Sequence, residues 1–256
     1  MPVKQSVCLP ILPKMDQTEL LKGIADIGYP AIEIWGRDDG FDAFCDAATR
    51  HKLRVVSMIG HQALGDGLNK PENHDRIEAE LRTSIDIAVA KDVPGLICFS
   101  GNRVEGMDEE RAIANTADGL KRVASYAEEK GITLNLELLN SKVNHPGYQC
   151  DHTTWGLDVI NRVGSPSVKL LYDIYHMQIM EGDIIRTIGT HAEAFGHVHT
   201  AGNPGRNDLD DEQELNYRPI CRALDRAGYP GYVGHEFKPK GEVLPALRHA
   251  YEICDV

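Results

Sequence analysis

The stretch DEERAIANTADGLKRVASYAEEKGITLNLEL, residues Asp108–Leu138, contains one complete repeat of the pattern that decides the fold. Asp108–Lys130 has the length and the apolar spacing of a long amphipathic helix, and Gly131 follows it as a C-cap glycine does. Thr133–Leu138 then alternates polar residues with leucines, which is typical of a strand with two different faces. The stretch therefore predicts a helix that leads directly into a β-strand.

The same alternation of strand and helix continues along the whole chain. Eight β-rich apolar runs alternate with longer amphipathic segments, which indicates parallel βαβ connections. The predicted strands are Val3–Leu9, Ala31–Trp35, Leu53–Ile59, Gly95–Phe99, Thr133–Leu138, Val168–Asp173, Phe195–His199 and Tyr232–Glu236. The predicted helices are Asp16–Ile27, Phe41–His51, Pro71–Lys91, Asp108–Lys130, Thr153–Val163, Gly182–Gly189, Tyr217–Ala227 and Glu242–Cys254.

No linker or low-complexity segment interrupts these units, so we predict one domain over residues 1–256. Eight uninterrupted units favour an α/β fold of the closed kind, a single (β/α)8 TIM barrel, over an open doubly wound sheet. A dinucleotide-binding sheet needs Gly-x-Gly-x-x-Gly after its first strand. The sequence there is Cys8-Leu-Pro-Ile-Leu-Pro13, which cannot cradle a pyrophosphate. We therefore expect no nucleotide cofactor.

Composition indicates which kinds of partner the protein binds and in which cellular compartment it lies. The chain has 27 Lys and Arg against 39 Asp and Glu, a formal net charge of −12 at pH 7. Such a chain repels phosphate backbones and anionic lipids, so we expect neither a nucleic-acid nor a membrane partner. Its six cysteines form no Cys-x-x-Cys pair, which indicates reduced, mostly buried thiols. The chain lacks an apolar leader and any run long enough to span a membrane, so we expect a cytoplasmic protein.

Four neighbouring strand ends carry residues that can bind a metal. In a (β/α)8 barrel the catalytic groups come from the C-terminal ends of the strands. The fifth to eighth predicted strands end in Glu137, Asp173, His199 and Glu236. Three carboxylates close together repel one another unless a cation joins them. The alternative is that each carboxylate caps a helix or pairs with a Lys or Arg. We favour convergence at the barrel mouth.

The chemistry of this set indicates which ion it suits. Three carboxylates and one imidazole form a hard, oxygen-rich ligand set, which favours Mg²⁺ or Mn²⁺. Zinc is less favoured, because its sites contain mainly Cys and His. The sequence therefore predicts a divalent metal, Mg²⁺ or Mn²⁺, as the cofactor.

Three further residues are candidates for binding a substrate through hydrogen bonds or charge. His176 lies shortly after the sixth strand and could donate a hydrogen bond to a substrate oxygen. Arg206 lies in the turn-rich loop after the seventh strand and could bind a substrate carboxylate or hydroxyls. Lys238 follows the eighth strand and is another candidate anion partner. For each, an ordinary surface role is the alternative.

Other residues could shape the site without reacting. Trp35 could form an apolar wall of the substrate pocket, and His61 could line the mouth, although packing roles are as reasonable for both. Glu33 is expected to be a structural partner of a His or Arg inside the barrel rather than a catalyst. The loop Asn144-His-Pro-Gly-Tyr148, which contains His145, is expected to be a lid segment.

Six stretches of the chain together are typical of one enzyme family. They are Leu136-Glu-Leu-Leu-Asn140, Asn144-His-Pro-Gly-Tyr148, Leu171-Tyr-Asp-Ile-Tyr-His-Met-Gln178, Gly196-His-Val-His-Thr-Ala-Gly-Asn-Pro-Gly-Arg206, Glu214-Leu-Asn-Tyr217 and Gly231-Tyr-Val-Gly-His-Glu-Phe-Lys-Pro-Lys-Gly241. They resemble the hydroxypyruvate isomerase family of the xylose-isomerase-like TIM-barrel superfamily. The resemblance covers most of the chain and is densest from Gly131 to Gly241.

The resemblance implies a role for each matching residue. It implies that the four strand-end residues bind the metal and that His176 and Arg206 contact the substrate. Some members have glutamine where His199 stands, and histidine there is closer to the ketose 3-epimerase pattern. The implied reaction is a metal-assisted aldose–ketose isomerisation of a short hydroxy-oxo acid, from hydroxypyruvate to 2-hydroxy-3-oxopropanoate (tartronate semialdehyde). Glu137 and Glu236 would move the proton through a cis-enediolate.

Several other functions remain open from the sequence. Within enzymes they are a 2-oxo-tetronate isomerase, a ketose 3-epimerase, a lyase such as an inosose dehydratase, and a DNA-repair endonuclease of similar fold. The last should have extra zinc-binding histidines and a basic groove, and the acidity of the chain argues against it. A sugar-binding barrel without activity is the non-enzymatic alternative. The expected partner is a small sugar or hydroxy-oxo acid, and association into a homo-oligomer is left open.

Overall fold

Eight parallel strands form a closed barrel in the computed structural model, which describes residues 3–256. Each strand pairs with its neighbours in chain order, and the eighth pairs with the first. The strands β1 to β8 are Lys4–Cys8, Ala31–Glu33, Arg54–Ile59, Gly95–Cys98, Thr133–Glu137, Val168–Asp173, Phe195–Thr200 and Tyr232–His235. The predicted (β/α)8 TIM barrel is confirmed.

Nine α-helices lie in this described part of the chain. The helices α1 to α9 are Gln17–Ile27, Phe41–Arg50, His74–Ala90, Glu109–Lys130, Thr153–Val163, Ile174–Met180, Ile184–His191, Tyr217–Arg226 and Val243–Cys254. Short 3-10 helices cover Leu9–Ile11, Pro71–Asn73 and Ala192–Ala194. None of the described helices combines the length and the apolar character needed to cross a bilayer. The six cysteines are buried and free of disulfides.

The unit α4–β5 forms as its sequence predicts. The Asp108 carboxylate caps α4 by accepting the backbone N–H of Arg111 at 2.7 Å. Gly131 ends the helix in the left-handed region, with φ of +69°. In β5, Leu134 and Leu136 are fully buried in the core between barrel and helices. The alternate residues are polar and face the barrel lumen. The strand therefore places its last residue, Glu137, at the barrel mouth.

The sixth unit differs from its prediction. The sequence predicts one helix there, over Gly182–Gly189, but the structure has two, α6 and α7. Helix α6 begins immediately after β6, where the Asp173 carboxylate accepts the backbone N–H of His176 at 3.1 Å. The prediction was wrong because α6 has only seven residues, under two turns, and shows no readable amphipathic period. The third predicted helix also begins differently, since Pro71–Asn73 forms a 3-10 turn before α3.

Candidate active site

Glu137, Asp173, His199 and Glu236 come together at the C-terminal mouth of the barrel, and all four are buried. One potential ligand atom from each lies within 4.8 Å of the others. Nδ1 of His199 lies 3.2 Å from Oε2 of Glu236. The same nitrogen lies 3.9 Å from Oε1 of Glu137 and 3.9 Å from Oδ2 of Asp173. The strand register, which sets Asp173 opposite His199, brings these ends to one level.

The three carboxyl groups of this cluster differ in their affinity for protons. Burial, aided by the charge of Glu236, raises the pKa of Glu137 to about 8. Burial also raises the pKa of Asp173 to about 6, although Arg206 opposes the shift. Burial acts on Glu236 too, but the charges of Arg206 and His199 outweigh it and hold its pKa well below the usual range. Without a cation, Glu137 therefore binds a proton most readily of the three carboxyl groups, and Glu236 binds one least readily.

The donor set fits a divalent cation. Nδ1 of His199 is buried and has no hydrogen-bond partner, while Nε2 lies 2.8 Å from the Glu33 carboxylate. The free nitrogen thus faces three carboxylates, and Arg206 lies beside two of them, Glu236 and Asp173. Carboxylate oxygens with one imidazole nitrogen are ligands suited to Mg²⁺ or Mn²⁺. The four residues could therefore hold such an ion.

The Mn²⁺ affinity of the protein is expected to rise between pH 6 and 8, by up to about tenfold per pH unit for each proton that must leave before the ion binds. Glu137, whose pKa is about 8, supplies one of these protons. Titration of free Mn²⁺ by EPR at pH 6, 7 and 8 measures the dependence. Glu137→Gln has no proton to lose at this position and should give a flatter slope, and equal slopes would contradict the assignment.

The stability of the ion-free protein should also depend on the protonation of Glu137. The pKa of Glu137 is higher in the folded protein than in the unfolded chain. Its contribution to the free energy of unfolding is therefore present at acid pH and is lost as the pH rises towards 8. Thermal unfolding with and without Mn²⁺ across this range should show the ion-dependent rise in Tm growing with pH.

Arg206 lies beside the carboxylates and lines the cavity above them. Its guanidinium donates to Oε2 of Glu236 and lies 3.9 Å from Oδ2 of Asp173. It also lies 5.8 Å from the centre of the Tyr175 ring. The Nε of this guanidinium is buried without a partner. Arg206 therefore offsets part of the negative charge and keeps a donor unused.

His176 is fully buried in α6, not exposed to solvent. Its Nδ1 accepts the backbone N–H of Asn140 at 3.1 Å, which leaves the ring hydrogen on Nε2. Nε2 lies 3.7 Å from Oδ2 of Asp173 and has no hydrogen-bond partner. Burial and the charge of Arg206 lower the pKa of His176 well below its usual value, so the ring is neutral. His176 thus presents an unused N–H donor beside the cluster.

A cavity of about 300 Å³ opens over the cluster. Its polar lining includes Glu137, Arg206 and Glu236, and much of the rest is apolar. The apolar lining residues are Trp35, Ile59, Ala63, Leu64, Ile97, Phe99 and Leu139. Trp35 lies where the sequence expects a wall of the pocket, and it remains 37% exposed. His145, which the sequence places in the loop after β5 without fixing its contacts, also lines the cavity.

Of two further candidates, His61 lines the cavity as expected and Lys238 does not. His61 lines the cavity, but its Nε2 accepts the Phe99 N–H at 2.9 Å and its Nδ1 lies 3.1 Å from the Gln62 carbonyl. Burial lowers the pKa of His61 to about 4, so the ring is neutral and both nitrogens serve the backbone. Lys238 is exposed and is not among the residues that line the cavity. Strand β8 ends at His235, so strand alternation no longer directs the Lys238 side chain.

Sequence reasoning missed two neighbours of the cluster. The Sγ of Cys8 lies 3.8 Å from Oε1 of Glu236, because β1 pairs with β8 and sets Val7 opposite His235. Closure of the barrel between the first and last strands creates this contact, and no local pattern signals it. The hydroxyl of Tyr148 donates to the carbonyl of Glu137 at 3.0 Å, which anchors the loop after β5. A tyrosine within a polar loop is the signal that the sequence offers.

The chain is similar to a family model, to curated proteins and to solved structures. A model of the xylose isomerase-like TIM barrel family matches residues 21–253. Hydroxypyruvate isomerase of Escherichia coli is 32% identical over 59% of this chain and 58% of its own length. A 2-oxo-tetronate isomerase of Pectobacterium atrosepticum is 29% identical over 88% of each chain. The structure titled AP endonuclease, family 2, from Brucella melitensis has a TM-score of 0.80 at 29% identity, covering 96% of this chain and 97% of that chain.

These findings confirm the resemblance that the sequence indicates. The family match extends over nearly all of the barrel, and the two curated relatives are named isomerases. The chain therefore belongs to the xylose isomerase-like TIM barrel family, and it is an isomerase.

Proposed function

We propose that this protein is a metal-dependent aldose–ketose isomerase of a short hydroxy-oxo acid, which converts hydroxypyruvate to 2-hydroxy-3-oxopropanoate. The observation that carries the proposal is the convergence of three buried carboxylates and one imidazole at the barrel mouth. Relatives named hydroxypyruvate isomerase and 2-oxo-tetronate isomerase support the substrate class. The cytoplasmic location and a small-molecule substrate are parts of the same proposal.

Glu137, Asp173, His199 and Glu236 would hold the ion, Mg²⁺ or Mn²⁺. When bound, a divalent ion supplies positive charge that polarises a substrate carbonyl and acidifies the neighbouring C–H bond. The remaining steps belong to the side chains. One of Glu137 and Glu236 removes a proton from the carbon that bears the hydroxyl, and the other returns a proton to the former carbonyl carbon. The hydroxyl proton passes to the former carbonyl oxygen, which becomes the new hydroxyl.

Two further side chains would stabilise and orient the substrate. The neutral His176, whose Nε2–H has no partner, donates to a substrate oxygen as negative charge develops there. Arg206 keeps a free donor while it contacts Glu236, and so can bind the substrate carboxylate. A positive group is needed at this point, because the chain as a whole carries −12. Trp35 closes one side of the cavity.

A four-carbon 2-oxo acid is the second candidate substrate. The cavity volume of about 300 Å³ lies at the lower end of the range for small-molecule sites and leaves room for a fourth carbon. The relative named 2-oxo-tetronate isomerase matches over 88% of this chain. The same carboxylates would serve this reaction, so the substrate length depends on the apolar end of the cavity.

Proton NMR in D₂O with Mg²⁺ and hydroxypyruvate, a four-carbon 2-oxo acid or a free ketose tests the proposal. We expect hydroxypyruvate to be consumed and deuterium to enter C2 of the aldehyde product, because proton return at that carbon defines the isomerisation. A ketose 3-epimerase would instead place deuterium at C3 of a ketose without forming an aldehyde. Heat-denatured protein controls for uncatalysed exchange. No deuterium uptake into any of these compounds would refute the proposal and favour a binding barrel.

A further inference from the structure

A buried glutamate lies in the lumen beneath the four-residue cluster. Glu33 is the last residue of β2 and is 1% exposed. Its Oε1 accepts the hydroxyl of Ser6 at 2.6 Å and lies 3.0 Å from Nε2 of His197. Its Oε2 lies 2.8 Å from Nε2 of His199. Since a carboxylate only accepts hydrogen bonds, His199 donates its Nε2–H to Glu33.

The barrel is built to allow this contact. Glu33 on β2 reaches His199 on β7 across the two strands between them, β1 and β8. On β1, the hydroxyl of Ser6 donates a hydrogen bond to the Glu33 carboxylate. On β8, Gly234 leaves the necessary space, since a Cβ there would lie 2.0 Å from Oε1 of Glu33 and 3.0 Å from Cδ2 of His199. Residues of four strands thus combine to hold one carboxylate against one imidazole.

This contact determines which nitrogen of His199 faces the carboxylates. An imidazole that donates through Nε2 presents the lone pair of Nδ1 when it is neutral. That Nδ1 is the buried atom without a partner, 3.2 Å from Glu236.

We propose that Glu33 is a positioning residue that holds His199 with Nε2 protonated and Nδ1 directed at the metal. The inference rests on the proposed function, which places an ion among the four mouth residues. A carboxylate that accepts from the outer nitrogen of a ligating histidine fixes its orientation and makes the ligating nitrogen more basic. Glu33 itself contacts neither the ion nor the substrate.

Glu33, His197 and His199 could also be taken for a second cation site, since their potential ligand atoms lie within 4.8 Å of one another. The direct contact of 2.8 Å between His199 and Glu33 argues against this, because the two atoms already satisfy each other. Two ions bound per chain, the second lost in Glu33→Gln, would overturn the positioning role.

The test measures Mn²⁺ binding by EPR, independently of activity. Glu33→Gln should weaken binding by about 10-fold to 100-fold per folded molecule, as loss of such a partner typically does. Wild-type affinity in a folded Glu33→Gln protein would overturn the proposal.

Gly234→Ala keeps the carboxylate but crowds it, and should also weaken Mn²⁺ binding. Ser6→Ala removes only the contact to Oε1 and is the matched control. A loss in Ser6→Ala equal to that in Glu33→Gln would show that lumen packing controls affinity, and would also overturn the proposal.

A measurement on the wild-type protein keeps the inference testable if the variants fail to fold. In ¹⁵N NMR of the Mg²⁺-loaded protein, His199 should carry its hydrogen on Nε2, with Nδ1 shifted by the ion. A hydrogen on Nδ1 would overturn the positioning role while leaving the isomerase proposal intact. Wild-type protein that binds no Mn²⁺ would overturn both.

Discussion

Glu236→Gln is expected to lower kcat by about 10³-fold, within the range that a positioned acid–base group contributes, while Mn²⁺ binding largely persists. The glutamine keeps an oxygen at the position of the carboxylate but cannot take a proton. Glu236 is the carboxyl group of the cluster that stays ionised most readily, because Arg206 and His199 hold its pKa low. Steady-state turnover of hydroxypyruvate and the rate of deuterium exchange at C3 measure the two halves of the effect.

Glu137→Gln should lower kcat in the same way, because each of the two carboxyl groups is needed for one of the two proton transfers. Glu129→Gln, the same change on an exposed helix residue of α4, is the control and should leave kcat unchanged. Near-wild-type kinetics in Glu236→Gln would refute its role in moving the proton. Loss of turnover together with complete loss of Mn²⁺ would instead assign it to ion binding alone.

Arg206→Ala is expected to raise KM for hydroxypyruvate by about 10-fold to 100-fold, which corresponds to the roughly 1.5–3 kcal/mol of a hydrogen bond to a charged group. A neutral ketose should show a much smaller rise, because it has no carboxylate for the guanidinium to bind. The variant also removes the partner of Glu236, so kcat should fall for both substrates alike. The ratio of the two KM changes isolates the carboxylate contact.

Arg206→Lys tests the geometry of this contact as well as its charge. Lysine keeps the positive charge but loses the planar fork that binds a carboxylate through two hydrogen bonds. We expect an intermediate KM for the acid. An equal effect of Arg206→Ala on acid and ketose would contradict the carboxylate role and leave Arg206 as a counter-charge for the cluster.

The mouth residues could be predicted because the geometry of a parallel barrel limits where the ends of its strands can lie. All of its strands end at one face, and side chains alternate along each strand with a period of two. Glu137 and Asp173 are therefore brought together once the strands are recognised. His176 was recognised as a candidate from its place after β6, but its donor nitrogen depends on the N–H of Asn140, which comes from another loop.

Residues beyond the strand ends were harder to anticipate. Lys238 follows Glu236 by two residues, but the strand has already ended and alternation no longer applies. His61 was expected at the mouth and lies there, yet both of its nitrogens are used by the backbone of neighbouring segments. Helix α6 is too short to produce a helical period in the sequence. For Lys238 and His61 the missing information is the path of the chain outside regular structure.

By itself, the amino-acid sequence determined the closed barrel of eight strand–helix units and the four residues that meet at its C-terminal mouth. These follow from local periodicity, which is a property of neighbouring residues. Only the tertiary structure decided how the nitrogens of His199 are used, because Glu33 reaches it from the opposite side of β1 and β8. Closure of the barrel joins residues 166 positions apart, and no local pattern encodes a contact at that separation.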